Sequence, residues 1–117
     1  MAVSKKLVAD FETTTDINDC RVWATCIYDI YEQKIVHVSN NLYDFMDVLR
    51  QSSKSHSLEI YFHNLKFDGE FILWWLYFNG FIYDESLSRA NTFRTLITDT
   101  GLFYELEIRF YKKGLVK

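Results

Sequence analysis

Asp10 and Glu12 are separated by a single residue, Phe11, and close the short apolar run that begins at Leu7. In an extended chain residues i and i+2 share a face. The two carboxylates therefore stand side by side while Phe11 turns into the opposite packing layer. Like charges a few ångströms apart destabilise one another unless a cation lies between them, and hard oxygen ligands of this kind suit Mg²⁺ or Mn²⁺. The same triplet also describes an ordinary solvated strand end. A second constellation, His63-Asn64-Leu65-Lys66-Phe67-Asp68-Gly69, falls where a strand gives way to a helix, the place where open αβ sheets bind their ligands. Asp68 can serve there as a plain N-cap, stabilising by about 1 kcal/mol, with Asn64 as a turn former and His63 as a surface histidine.

Positioning these groups is the task of the elements around them. Leu7 to Phe11 reads as a strand entering a core, and the polar stretch Thr13–Asp19 turns the chain. Val22 to Tyr31 and Lys34 to Ser39 continue it as an antiparallel meander. Asn40 or Asn41 caps a helix whose apolar residues Leu42, Phe45, Met46 and Leu49 fall at i, i+3, i+4 and i+7. Leu58 to Phe62 is a further strand. From Asp68 to about Asn79 the pattern predicts a second helix, apolar nearly all round (Phe71, Ile72, Leu73, Trp74, Trp75, Leu76) and so largely buried, stopped at Asn79-Gly80. Phe93 to Asp99 and Leu102 to Tyr111, joined at Thr100-Gly101, form a hairpin. In its second arm Leu102, Tyr104, Leu106, Ile108 and Phe110 alternate with Phe103, Glu105, Glu107 and Arg109, which predicts a half-buried strand. With nothing beyond it, that arm is an exposed edge able to pair two copies of the chain.

The order β-β-β-α-β-α-β-β predicts a mixed α/β fold: a central mixed sheet, two helices and a C-terminal hairpin in one domain spanning residues 1–117. A chain of 117 residues with 49% hydrophobic and 18% aromatic side chains has ample material for one core. It contains no proline and four glycines, so no flexible linker or low-complexity segment stands out. A net charge of −3 excludes a surface that clings to nucleic acid throughout. It does not exclude a nuclease, whose carboxylates regain neutrality from bound cations. Cys20 and Cys26 match no zinc or redox spacing and read as two reduced thiols. The polar start, Met1 to Lys6, lacks the apolar core of a secretory signal, and the longest apolar run, Phe71 to Phe78, is too short to span a membrane.

Three stretches together carry a family likeness: Asp10-Phe11-Glu12-Thr13-Thr14-Thr15, then Cys20-Arg21-Val22-Trp23-Ala24, then Tyr61 through Gly69. They resemble the 3′–5′ exonuclease segments of protein-primed, family B phage DNA polymerases. Asn79-Gly80-Phe81 and Tyr111-Lys112-Lys113-Gly114 are similar too, so the likeness runs in order along essentially the whole chain. It implies the front half of a ribonuclease H-like exonuclease core. It further implies that Asp10, Glu12 and Asp68 hold two divalent cations, Mg²⁺ or Mn²⁺: Asp10 bridging, Glu12 on the nucleophile side, Asp68 on the second. The resemblance assigns Thr13, Asn64 and Phe67 to the frayed 3′ end of single-stranded DNA, with His63 in the same loop.

The chain departs from that family in lacking a further motif, a tyrosine followed one helical turn later by an aspartate. An assisting lysine and all polymerase motifs are missing as well. Weak or absent hydrolysis is therefore the expectation for the chain alone, and whether it is an enzyme stays open. Two readings follow. One is a proofreading exonuclease fragment that works with the remainder of a polymerase. The other is a stand-alone phage protein that binds nucleic acid or blocks a host or defence nuclease, in the manner of anti-CRISPR inhibitors. Both place it in the cytoplasm of an infected bacterium. An exposed patch built from Trp74, Trp75, Tyr77 and Phe78 would favour a protein partner, whereas the pattern predicts that most of this stripe is core.

Overall fold

The structure is a computed structural model that describes residues 4–14, 16, 18–97, 104–111 and 114–117. Strands β1 (Lys5–Thr13), β2 (Val22–Asp29) and β3 (Lys34–Ser39) form the expected antiparallel meander. Its second turn is held by Asp29, whose buried Oδ1 accepts from the main-chain N–H groups of Tyr31 and Glu32 at 2.9 and 3.0 Å. That pairing satisfies an otherwise costly buried carboxylate. Helix α1 (Leu42–Ser52) follows, then β4 (Leu58–Phe62), laid parallel to β1, then α2 (Leu65–Phe78). After α2 come the two-residue β5 (Ile82–Tyr83), the hairpin strands β6 (Thr92–Ile97) and β7 (Tyr104–Arg109), and the two-residue β8 (Leu115–Val116). All eight strands belong to one mixed sheet in the order β3-β2-β1-β4-β8-β7-β6-β5. The predicted mixed α/β class with two helices is what the chain adopts; the turn at Thr100-Gly101 lies outside the described residues.

Alternation along β1 explains how the core forms. Leu7, Ala9 and Phe11 are buried while Val8, Asp10 and Glu12 are exposed. Phe11 meets Phe45 of α1 edge-on at 4.7 Å between ring centroids and Phe62 of β4 at 5.2 Å, the geometry aromatic pairs prefer. The α1 stripe is as predicted, with Leu42, Phe45, Met46 and Leu49 all buried. Asn41 caps the helix, its side chain accepting from the Asp44 N–H at 2.8 Å. Replacing Asn41 with alanine should cost about 1 kcal/mol, read as a shift in the urea midpoint at constant m-value.

Three expectations need correction. Helix α2 begins at Leu65, three residues before Asp68, and it is not buried all round. Ile72, Trp75 and Leu76 face the core, whereas Trp74, Tyr77 and Phe78 are exposed. The sheet covers one side of the helix only: Trp74 and Phe78 stack on each other away from it, and Tyr77 sits at its margin, edge-on to Phe93 of β6 at 5.2 Å. Second, β7 is not an edge over its whole length: it pairs with β6 along its length and with β8 at Ile108 and Arg109. Third, its polar face is not solvated throughout. Glu107 is buried and held by Arg94 at 3.0 Å.

Candidate metal centre and its surroundings

Strand β1 outruns its parallel neighbour. The last matched pair is Ala9 with Phe62, so on the β4 side nothing in the sheet meets the main chain at Phe11. Helix α2 starts at that point, and its first turn brings Asp68 across, whose carboxylate accepts a hydrogen bond from the Phe11 N–H. Asp68 is therefore not the helix cap. Asn64 takes the cap position, its carbonyl accepting from Phe67 N–H at 3.1 Å and Asp68 N–H at 2.9 Å. The Asn64 side chain makes no capping bond. Its amide stays exposed, like His63 and Phe67 beside it.

The electrostatics follow from this placement. Asp68 is only 6% exposed. Its pKa is raised from 3.8 to about 6, chiefly by burial and next by the negative charge of Asp10. The Phe11 N–H pulls the other way, and Glu12 adds a smaller upward push. The acids that the sequence drew from two distant stretches thus act on one another through space. They do not make a closed ligand shell: among the described residues no three His, Cys, Asp or Glu side chains are gathered tightly enough to hold a metal ion unaided. Asp10 and Glu12 point into solvent, and Asp68 is drawn inward toward the Phe11 N–H. In chemical type this donor set, oxygen-only and carrying unfavourable negative charge, fits a hard divalent cation.

A pH profile follows directly. The folded chain keeps the Asp68 proton up to a pH of about 6, whereas in the unfolded chain it is lost near 3.8. Between those values the folded state binds more protons, so this group makes stability fall as pH rises, by on the order of 2 kcal/mol across the window. Asp68→Asn keeps an acceptor for Phe11 and removes the charge. Urea unfolding at pH 4.5 and 7.5 should show the variant more stable than the natural chain at the higher pH and nearly equal to it at the lower.

The remaining predicted residues surround this point without all touching it. Thr13 is half-buried at the end of β1, just past a register shift after Glu12. Phe67 is 46% exposed and packs edge-on against Phe71 at 5.6 Å. His63 and Asn64, with Leu65 and Lys66, line a cleft of about 570 Å³ that opens between β4 and β7, and none of the three acids lines it. Sequence reasoning did not single out Lys66, Tyr104 or Glu105, which also border this cleft. For Tyr104 and Glu105 the only signal is the alternation of β7, which fixes the side of the strand but not its neighbour; Lys66 lies beside His63 and Asn64 in the His63–Gly69 string, at the start of α2. Cys20 is exposed and Cys26 half-buried, both as free thiols. No helix among the described residues is long and apolar enough to cross a membrane.

No family model matches the chain. Individual relatives do. The DNA polymerase of Bacillus phage phi29 is 40% identical over 111 residues, covering 94% of this chain and 18% of that protein. The DNA polymerase of Bacillus phage Nf is 38% identical over 113 residues, and that of Streptococcus phage Cp-1 is 29% identical over 111. Among solved structures, phi29 DNA polymerase complexed with single-stranded DNA superposes with a TM-score of 0.83 at 34% identity, over 96% of this chain and 20% of that one. Its ternary complex with primer-template DNA and incoming nucleotide gives 0.80. The chain spans about a fifth of the length of these relatives. It is homologous to the N-terminal region of protein-primed phage DNA polymerases of the phi29 type.

Proposed function

From that homology we propose that the chain is the cation-binding and DNA-end-binding front portion of a proofreading 3′–5′ exonuclease. The observation that carries this reading is the position of Asp68, buried in the first turn of α2 and raised to about 6 beside Asp10 and Glu12. A stabilising role alone gives no reason to bury a carboxylate next to two others. Divalent cations bound there would supply a water activated for attack on the terminal phosphodiester and a counter-charge for the departing 3′ oxygen. The chain's own side chains do the rest. Asp10 and Glu12 offer ligand oxygens from the strand, and Asp68 offers one from the helix. The exposed Asn64 amide and the Thr13 hydroxyl donate to phosphate or base. Phe67 presents an exposed ring on which a terminal base stacks, worth about 1–3 kcal/mol.

With the further aspartate of the resembled family missing, the three acids should hold two cations only weakly. Alone, the chain should therefore bind a single-stranded 3′ end and cleave it slowly or not at all. Fluorescence anisotropy with a 3′-labelled oligonucleotide and Mn²⁺ tests this reading. Binding should weaken about 5- to 150-fold on Phe67→Ala, and no steady nucleotide release should accompany it. Steady release lost on changing Asp10 and Glu12 to alanine would show that the site is already sufficient. Binding indifferent to Phe67 and Asn64 would remove the DNA-end reading.

One observation favours a protein partner as well. Trp74 and Phe78 stack at 5.1 Å on the outer side of α2, 51% and 69% exposed. An exposed aromatic surface of this sort marks a contact face, whether for the rest of a polymerase or for a protein that the chain inhibits.

A further inference from the structure

Helix α2 carries two apolar rows. Ile72, Trp75 and Leu76 form the one that faces the core. The second, Phe67, Phe71, Trp74 and Phe78, runs the length of the helix at intervals of four, three and four residues. At about 100° of turn per residue these four lie within roughly 60° of one another, as a single stripe. Phe67 meets Phe71 edge-on at 5.6 Å, and Trp74 stacks with Phe78 at 5.1 Å. Phe67, Trp74 and Phe78 are 46%, 51% and 69% exposed, while Phe71 is half-buried.

This stripe is complementary to itself. Its spacing reads the same in both directions. A second α2 laid antiparallel, about a two-fold axis passing between Ile72 and Leu73, therefore sets Phe67 against Phe78 and Phe71 against Trp74. Every ring then meets a ring, and each position is used twice, as an isologous contact requires. Alternating intervals of three and four residues also make the seam along which helices pack at about 20° and roughly 8–10 Å. Charge does not oppose the arrangement. Lys66, Asp68 and Glu70 are the charged residues of α2, and none follows them through Phe78. The charged end of each helix thus lies beside the uncharged end of the other.

Area sets the strength of such a contact. With about 200 Å² for a fully exposed aromatic side chain, Phe67, Trp74 and Phe78 present roughly 330 Å² per copy at their observed exposures. Two copies would hide roughly 650 Å² of ring surface, which with a rim of flanking side chains approaches the lower end of the about 1,200–2,000 Å² of stable interfaces. That area suits a reversible dimer and falls short of a permanent one.

We propose that α2 pairs with α2 of a second copy of this chain through the stripe, forming a two-fold symmetric dimer whose population depends on concentration. The pairing rests on helix geometry and is independent of the exonuclease reading. It covers Phe67, so on that reading a docked DNA end and a paired copy exclude each other.

Sedimentation velocity of the whole chain tests this. The sedimentation coefficient should rise reversibly toward that of a dimer between about 1 and 100 μM. Trp74→Glu and Trp74→Lys, each alone, should weaken pairing at least about tenfold, as loss of a central tryptophan does at other contacts. Mixed in equal amounts they should pair again, because the two replaced side chains lie close to the axis and carry opposite charge. Tyr77 is as exposed as the stripe residues but leans on Phe93 at 5.2 Å. Tyr77→Glu should therefore pair as the natural chain does. Urea midpoints establish that each variant is folded, and Phe78→Lys takes the place of a Trp74 variant that is not. The proposal is overturned by a chain that stays monomeric throughout, which leaves the face to a different protein. It is equally overturned by association past two copies, by Tyr77→Glu weakening pairing as much as Trp74→Glu, or by mixed Trp74 variants that remain monomers.

Discussion

Replacing Gly114 with alanine should be among the most damaging single changes in this chain, with a loss of about 4 kcal/mol or more. Gly114 has φ of +82°, a left-handed backbone that a side chain rarely adopts, and a Cβ built there would lie 2.0 Å from the Ser53 carbonyl oxygen. That neighbour cannot easily give way. Ser53 is fully buried, and its N–H closes α1 on the Leu49 carbonyl at 3.0 Å. The chain must instead move at Gly114, which detaches β8 immediately after it. The bonds of Lys117 to β4 and the buried Val116 would then be lost together. Urea unfolding would show the drop in stability, and hydrogen exchange would localise it through a faster Ile60 amide. An alanine variant of unchanged stability would mean that β8 is not seated as described.

The second large effect concerns Arg94. Its guanidinium donates from two nitrogens, at 3.0 and 3.3 Å, to one oxygen of Glu107, and a third nitrogen donates to the Glu85 carbonyl at 2.8 Å. The Glu107 side chain is only 3% exposed. Arg94→Ala leaves that carboxylate buried without its counter-charge, which costs about 3–5 kcal/mol. For a domain of this size the melting temperature should fall by roughly 12–20 °C. A double change, Arg94→Met with Glu107→Leu, should restore most of the loss, because well-packed apolar residues replace a buried ion pair at little cost. If the double variant were as unstable as the single one, packing rather than uncompensated charge would be the cause.

Much of this architecture was legible because its signals are local. Phe45, Met46 and Leu49 sit on one helical stripe, and Leu58 to Phe62 sits between polar stretches, so α1 and β4 fall where the sequence puts them. The Asp-Phe-Glu triplet declared its alternation in the same way. Three things were not legible. Strands β5 and β8 are two residues each, too short for any period, and exist only through their neighbours. The outer aromatics of α2 read as core because hydrophobicity alone does not say how many sides of a helix a sheet will cover. Glu107 looked solvent-facing because its partner, Arg94, lies on the facing strand and only the register of β6 against β7 brings them together. The role of Asp68 was half readable. Its type and its place near the helix start were plain, but that it reaches back to the Phe11 N–H depends on β1 extending past β4.

The claim that Asp10, Glu12 and Asp68 form a divalent-cation site is tested most directly by titrating Mn²⁺ into the chain near pH 5.5 while counting protons released. Binding should expel about three-quarters of a proton, because a cation displaces the one that Asp68, with a pKa of about 6, still mostly holds at that pH. Changing any one of the three acids to its amide should weaken binding by more than the roughly tenfold that outer partners of a metal cost. Mn²⁺ affinity and proton release both unchanged in the triple amide variant would contradict the account at its centre.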